Sequence, residues 1–251
     1  MVVRKRDESR AYTDLRQCGD YRPLNLHAEL DRYRLPPIED VFQDLQGAVI
    51  FTKLDFRSGY HQIPVAEEDK CKNAFWGAHR QLWEWNVVPF GLNNAPPFFQ
   101  RLMDKVLAGL PFARCYIDDI IIWSKSFAEH LTHLEVVFSR LRAWGLKIHL
   151  GKCLFGADEV DLLGHRVNAY GIKPQMEKTR AIRDMQTPSD LSSLRALLGL
   201  FSYYRKYVPH FSVIAAPLNK LLKKDAPWKW GEQEATAVHK LKQLLCFEPV
   251  L

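Results

Sequence analysis

Two adjacent aspartates inside an apolar run constrain the fold of this chain more than any other feature. Asp118 and Asp119 interrupt the segment CYIDDIIIW, residues 115–123, and the other members of this segment are mostly β-branched and aromatic residues typical of buried strands. Two carboxylates about 4 Å apart repel each other by roughly 4 kcal/mol at an effective dielectric constant of 20. The segment therefore predicts two strands that meet at the aspartates, where either water or a bound cation offsets the repulsion.

A third acid makes the cation the more interesting alternative. Asp55 ends a predicted strand, residues 48–56, just before a Ser58-Gly59 turn. If that strand lies beside the hairpin, Asp55 and Asp118 can together hold two Mg²⁺ ions about 3.5–4 Å apart, the arrangement used for in-line phosphoryl or nucleotidyl displacement. Spacing alone does not establish a metal site, because aspartate is a common residue of solvated turns at strand ends.

Composition indicates an ordinary globular protein. The chain has 251 residues, of which 47% are hydrophobic and 25% are charged, and no apolar run approaches the roughly 18 residues of a membrane span. The charged start MVVRKRDESR is not expected to act as a secretory signal. The five cysteines show no CxxC spacing, so we expect reduced thiols, no zinc and an intracellular protein.

The excess of positive charge lies in the C-terminal third. Residues 166–251 contain 14 Lys and Arg against 7 Asp and Glu, whereas residues 1–165 contain 21 against 22. A polyanion-binding surface and a solvated basic face both explain this distribution. The spacing of apolar residues changes at the same place, from a pattern typical of mixed helices and strands to one typical mainly of helices. Helices are predicted near residues 36–46, 126–144, 175–185, 190–206 and 211–223, and short strands near 146–150, 160–167 and 170–173.

Six segments then carry a resemblance to a known family. They are FTKLDFRSGYHQIPV, VVPFGLNNAPPFFQRLMDKVL, CYIDDIIIWSKS, GLKIHLGKCLFG, DLLGHRVNAYGI and LLGLFSYYRKYVPHFSVIAAPLNKLLKK. In this order and spacing the chain resembles a reverse transcriptase of the type found in gypsy-like LTR retrotransposon polyproteins, over almost its whole length. The resemblance implies an α+β right-hand polymerase with an antiparallel sheet packed on helices.

The resemblance also implies a domain organisation. Fingers and palm would occupy residues 1–165, with the palm core at about 36–62 and 97–165 and the fingers at about 1–35 and 63–96. A helical thumb would follow at 166–224. Residues 225–251 would form a connection toward a ribonuclease H domain, and the acids of that second active site are not in this sequence.

Catalytic and nucleotide-binding residues follow from the same resemblance. Asp55, Asp118 and Asp119 would be the catalytic acids and, with the main-chain carbonyl of Phe56, the ligands of two Mg²⁺ ions, for which Mn²⁺ could substitute. Asp119 would have a supporting role. The residues implied to bind the incoming dNTP are Tyr60, Phe90, Gly91, Lys5 and Arg16. Tyr60 would exclude a ribose 2′-hydroxyl. Lys5 and Arg16 would bind the triphosphate, although they are separated by about five more residues than is usual in the family.

The expected partner is an RNA or DNA template–primer duplex, with no membrane and an oligomeric state that the sequence leaves open. The residues implied to contact the duplex are Tyr116, Gly164, His165, Arg195, Arg205 and Lys206. At Trp76 and Gly77 the chain departs from the family, in which polar or basic residues are usual at these positions. These departures bring into question the grip on the template and the affinity for the nucleotide, but not the fold.

Three functions fit these observations to different degrees. An active RNA-directed DNA polymerase explains the complete set of acids and Tyr60. A catalytically silent remnant that binds nucleic acid or protein would keep the same fold. A two-metal nuclease fits the carboxylates but not the segments assigned to primer and nucleotide.

Overall fold

The computed structural model describes residues 2–6, 12–17, 19–77, 80–223 and 227–247. The chain divides into two compact units, residues 1–157 and 158–251. The sequence-based boundary between palm and thumb lay at residue 165, and the assignment of fingers, palm and thumb stays a prediction. Within the described residues, no helix combines the length and apolar character needed to cross a membrane.

The first unit is built around a four-stranded antiparallel sheet. The strands of this whole unit are β1 (Val2–Arg6), β2 (Tyr12–Gln17), β3 (Ile50–Asp55), β4 (Phe75–Trp76), β5 (Leu82–Trp83), β6 (Ala113–Tyr116), β7 (Asp119–Ser124) and β8 (Leu154–Ala157). Its helices are α1 (Arg22–His27), α2 (Ile38–Asp44), α3 (Ala95–Val106) and α4 (Phe127–Ala143). The central sheet has the order β6-β7-β3-β8, while β1 pairs with β2 and β4 pairs with β5 in two separate hairpins.

The position of β7 explains its unbroken apolar sequence. This strand lies between β6 and β3, and its three isoleucines are at most 1% exposed. Ile120 and Ile122 belong to one buried cluster with Phe99 and Met103 of α3 and Val137 of α4. Burying one such side chain stabilises the fold by about 1.5–3 kcal/mol, so the hairpin that carries the two aspartates has a rigid base.

A buried histidine ties this sheet to α4. His130 is fully buried, with its Nε2 atom 2.7 Å from Thr52 Oγ1 on β3 and its Nδ1 atom 2.8 Å from Ser124 Oγ on β7. Burial lowers the pKa of His130, the nearby His133 lowers it further, and Glu129 opposes the shift. The folded protein therefore favours the neutral imidazole.

Acid is expected to destabilise the first unit through His130. The unfolded chain protonates this residue near pH 6.5, while the folded protein resists protonation until a lower pH. The stabilisation is thus complete above about pH 6.5 and falls as the pH decreases, by at most about 1.4 kcal/mol per pH unit. Urea unfolding at pH 7.5 and 5.5 measures this loss. A His130→Gln variant should lose less stability over the same interval, and an equal loss in both proteins would contradict the assignment.

The second unit combines a small sheet with helices. Its strands are β9 (Glu159–Leu162), β10 (His165–Asn168) and β11 (Gly171–Pro174), in the order β11-β10-β9, and its helices are α5 (Met176–Asp184), α6 (Leu191–Tyr203), α7 (Phe211–Ile214), α8 (Ala216–Leu221) and α9 (Glu232–Phe247). Leucines of α6 and α9, together with Phe201, form much of its core. The predicted strand at 160–167 is two strands, because Leu163 and Gly164 adopt positive φ angles of 49° and 76° and turn the chain.

Candidate active site

The strand register brings the three predicted acids to one end of the central sheet. Asp55 is the last residue of β3 and pairs with Asp119, the first residue of β7. Tyr116 pairs with the same Asp119 across the β6–β7 hairpin, so Ile117 and Asp118 form a two-residue turn. Paired Cα atoms lie about 4.5–5.5 Å apart and consecutive ones about 3.8 Å. Asp118, one residue before the partner of Asp55, is therefore within side-chain reach of Asp55.

The turn itself is held in an uncommon backbone conformation. Ile117 has a φ angle of 54°, which a β-branched residue rarely adopts and which costs of order 1–3 kcal/mol. The buried side chain of Gln100 on α3 supports it. Its Oε1 atom accepts a hydrogen bond from Ile117 N at 2.8 Å, and its Nε2 atom donates to Cys115 O at 2.8 Å and to Asp104 Oδ1 at 2.9 Å. Gln100 thus fixes the loop that presents Asp118.

Replacing Gln100 by leucine is expected to destabilise this loop. The change removes the side-chain partners of Ile117 N and Cys115 O at similar volume, at about 1–3 kcal/mol for each group left unsatisfied. We expect a lower melting temperature and weaker activity. Thermal unfolding checks this, with Gln43→Leu on the exposed side of α2 as the matched control. Equal stability of the two variants would refute the role of Gln100.

The donor set at this end of the sheet suits a hard divalent cation. Carboxylate oxygens of Asp55 and Asp118 are the ligand type that Mg²⁺ and Mn²⁺ prefer. In contrast, Asp119 Oδ2 lies 2.9 Å from Lys53 Nζ, and both side chains are 26% exposed. In the described part of the chain, no group of three His, Cys, Asp or Glu side chains is arranged to hold a metal. One of the three predicted acids, Asp119, is therefore engaged by a lysine.

The main-chain carbonyl of Phe56 points toward the same region. Phe56 forms an isolated antiparallel bridge with Ile148, in which Asp55 O accepts from His149 N at 2.8 Å and Arg57 N donates to Lys147 O at 3.1 Å. Successive carbonyls of an extended chain point to opposite edges. The Phe56 carbonyl thus faces the edge on which β7 lies, a position compatible with the predicted metal ligand.

Gly59 and Tyr60 lie against the hairpin turn. A Cβ atom at Gly59 would be 3.3 Å from Asp118 Oδ1 and 3.3 Å from Phe99 Cζ, so glycine permits the close approach of the carboxylate. The Tyr60 ring packs with its centroid 5.6 Å from that of Phe99 and 5.4 Å from that of Phe90. Burial, and secondarily the charge of Asp118, raises the pKa of Tyr60 to about 12, so the phenol stays neutral at physiological pH.

The predicted nucleotide loop is connected to the first helix of the unit. Gly91 adopts a φ angle of 104°, which favours glycine. Asn25 Nδ2 donates to Gly91 O at 2.8 Å, and Asn25 Oδ1 accepts from Asn93 N at 3.0 Å. The structure therefore places Phe90 beside Tyr60. Gly91 follows Phe90 in a loop that Asn25 holds through hydrogen bonds to Gly91 and Asn93.

The two fingers cations cannot be placed in the same way. Lys5 lies on β1 and Arg16 on β2, where Arg16 pairs with Val3. Their side chains lie outside the described part of the structure. Their assignment to the triphosphate stays a prediction.

In the second unit, tyrosines fix the turn assigned to the primer. Tyr203 Oη donates to Leu163 O at 2.6 Å, and Tyr204 Oη donates to Gly164 O at 3.1 Å. The His165 side chain is 1% exposed and packs against both tyrosine rings. The side chain of His165 is thus a support for the turn rather than an accessible contact. Three further residues assigned to the duplex lie on this unit, namely the exposed Arg195 and Arg205 and the partly buried Lys206.

Sequence reasoning missed three residues that shape the site, Gln100, Lys53 and Gly59. Gln100 left a usable signal, because it is a polar residue beside the apolar positions Phe99 and Met103 of an amphipathic helix. A polar residue on a buried face needs hydrogen-bond partners. Lys53 left a weaker signal. It lies two residues before Asp55 on a predicted strand, and this spacing puts both side chains on the same face of the sheet.

Solved structures of similar fold define the class to which this architecture belongs. A foamy viral protease–reverse transcriptase in complex with double-stranded DNA matches with a TM-score of 0.88 and 26% identity, over 98% of this chain and 43% of that chain. A foamy viral protease–reverse transcriptase in complex with an RNA/DNA hybrid matches with a TM-score of 0.80 and 26% identity, over 92% and 32%. The predicted fold class, an α+β polymerase, is confirmed.

Comparison of the sequence with known proteins identifies the same class as the solved structures do. Residues 3–167 match the family described as reverse transcriptase (RNA-dependent DNA polymerase). The Transposon Tf2-3 polyprotein of Schizosaccharomyces pombe is 38% identical over 239 residues, which are 94% of this chain and 18% of the polyprotein, and the Transposon Tf2-7 polyprotein gives the same values. The chain spans about a fifth of the length of these curated relatives.

The chain belongs to the reverse transcriptase family. The resemblance found in the motifs, including the relation to retrotransposon polyproteins, is therefore confirmed. The family is one of nucleotidyltransferases that use divalent metal ions.

Proposed function

We propose that this chain is an RNA-directed DNA polymerase domain that transfers nucleotides from dNTPs to a primer 3′-hydroxyl. The observation that carries the proposal is the register of β3 with β7, which puts Asp118 one residue from the partner of Asp55. Membership of the family supports the same conclusion. The bond that forms joins the primer 3′-oxygen to the α-phosphorus, and the bond that breaks releases pyrophosphate.

The acids at the end of the sheet would hold the divalent cations. Asp55 and Asp118 supply carboxylates, and Phe56 supplies a carbonyl. Two Mg²⁺ ions, or Mn²⁺ in their place, would when bound activate the 3′-hydroxyl and neutralise the charge that develops on the leaving phosphate. The buried base of the hairpin and the turn held by Gln100 would position these ligands in advance.

The rings around Tyr60 would select the sugar. Phe90 and Phe99 hold the tyrosine ring in place. A neutral ring beneath the sugar excludes a 2′-hydroxyl by its volume and not by charge. Gly91 would allow the backbone to approach the base pair closely.

The partner would be a template–primer duplex. The foamy viral relatives of similar fold are complexes with double-stranded DNA and with an RNA/DNA hybrid. Exposed cations of the second unit, among them Arg195 and Arg205, would contact backbone phosphates without reading sequence.

Primer extension tests the proposal. We expect the chain to extend a DNA primer on an RNA template only with dNTPs and Mg²⁺ or Mn²⁺, and to bind the duplex less tightly as salt increases. Salt-sensitive binding without extension at any divalent concentration would instead identify a silent nucleic-acid-binding remnant.

A further inference from the structure

Lys53 places a positive charge among the acids of the active site. Its Nζ atom is 2.9 Å from Asp119 Oδ2, and both side chains are largely shielded from solvent. Lys53 and Asp55 are two residues apart on β3, so their side chains leave the same face of the sheet. Because Asp119 is the register partner of Asp55, Lys53 lies on the same face of the sheet as Asp55 and Asp119.

We propose that Lys53 is a positioning residue, the fixed counter-charge of Asp119 that keeps this carboxylate from ligating the cations bound by Asp55 and Asp118. The inference rests on the proposed metal site. To bind a cation, Asp119 would have to give up an ion pair in a partly desolvated position, where such a pair is screened less than at the surface. The lysine also reduces the repulsion among three neighbouring carboxylates.

This arrangement has a consequence for the free protein. With one of three negative charges neutralised, the acids attract divalent cations less strongly than three free carboxylates would. The chain alone is then expected to bind these ions weakly, and to gain affinity when the phosphates of a nucleotide add further oxygen ligands.

Manganese binding by the whole chain, without nucleic acid or nucleotide, tests the proposal. Free Mn²⁺ is followed by electron paramagnetic resonance in the wild type, Lys53→Met, Asp119→Asn and the double variant. Lys53→Met should bind about three- to tenfold more tightly, and Asp119→Asn about three- to tenfold more weakly because Asp119 then no longer offsets the positive charge of Lys53. The double variant should return to within about twofold of the wild type, since charge is again balanced.

Two controls separate this effect from general ones. Lys53→Arg keeps the charge and should bind like the wild type. Lys70→Met removes a lysine that pairs with Glu67 at 2.5 Å, and it should leave Mn²⁺ affinity unchanged. Thermal unfolding establishes that each variant is folded.

The opposite pattern overturns the proposal. If Asp119→Asn and the double variant bind Mn²⁺ equally weakly, Asp119 is a ligand in its own right and Lys53 is incidental. No gain in affinity for Lys53→Met, including no detectable binding, also overturns it. A failure of the proposed polymerase function would look different, because the expected Mn²⁺ pattern would then occur in a chain that extends no primer.

Discussion

Replacing Asp118 by asparagine is expected to reduce primer extension by about 10²–10³-fold or more, the loss typical when a central electrostatic group of a transition state is removed. Asn keeps the size of the side chain but removes the charge that would hold a cation. Asp118 is exposed, so the fold should be unaffected. Single-turnover extension at saturating Mg²⁺ measures the loss, and thermal unfolding measures stability.

A second aspartate of the same unit provides the matched control. Asp44 Oδ2 lies 2.9 Å from Arg114 Nε, in an ion pair on the surface. Asp44→Asn removes a charge and a surface pair worth about 1 kcal/mol or less, and should leave extension within about twofold of the wild type. Comparable activity of Asp118→Asn and Asp44→Asn would contradict the assigned role of Asp118.

Replacing Tyr60 by valine is expected to relax discrimination against ribonucleotides by about 10–100-fold, which corresponds to about 1.4–2.8 kcal/mol of lost exclusion. The change removes the ring that Phe90 and Phe99 hold in place and opens room for a 2′-hydroxyl. The ratio of kcat/KM for dNTP to that for the matching ribonucleotide is the measurement.

The Tyr60→Phe variant isolates the ring from its hydroxyl. Since exclusion is attributed to ring volume, this variant should discriminate as the wild type does. If it relaxes selection as much as valine does, the hydroxyl and not the ring carries the effect. Unchanged selection in the valine variant would remove Tyr60 from the sugar site.

The part of the site that was predictable lies in short, strongly patterned segments. A run of β-branched residues fixed the two strands around Asp118, and Asp55 at a strand end was expected to meet them. The sequence left open whether these strands are neighbours, and the structure pairs β3 with β7 so that Asp55 lies opposite Asp119. The fold class followed from the same segments.

The part of the site and of the fold that was not predictable depends on contacts between residues distant in sequence. Gln100 stabilises Ile117 only once α3 packs beside the hairpin, and no local pattern predicts the left-handed backbone of an isoleucine. A strand was predicted near 146–150, whereas the strand that pairs with β3 is Leu154–Ala157. Residues 146–150 contribute an isolated bridge, between Ile148 and Phe56, and local propensity does not predict which segment extends the sheet.

The helices of the second unit show the same limit. The predicted helix at 211–223 is two helices, and the second has Pro217 in its first turn, where proline lacks the N–H that would continue the preceding helix. Helix α9 was not predicted. Its apolar side chains, including Leu241 and Leu245, are buried in the core of this unit, so tertiary packing stabilises it.

The most direct test of the central claim is the location of manganese in crystals of the chain with primer–template, dNTP and Mn²⁺. Anomalous scattering identifies the metal independently of activity. We expect manganese between the carboxylates of Asp55 and Asp118. Manganese bound elsewhere, with these two side chains making no contact to it, would contradict the account.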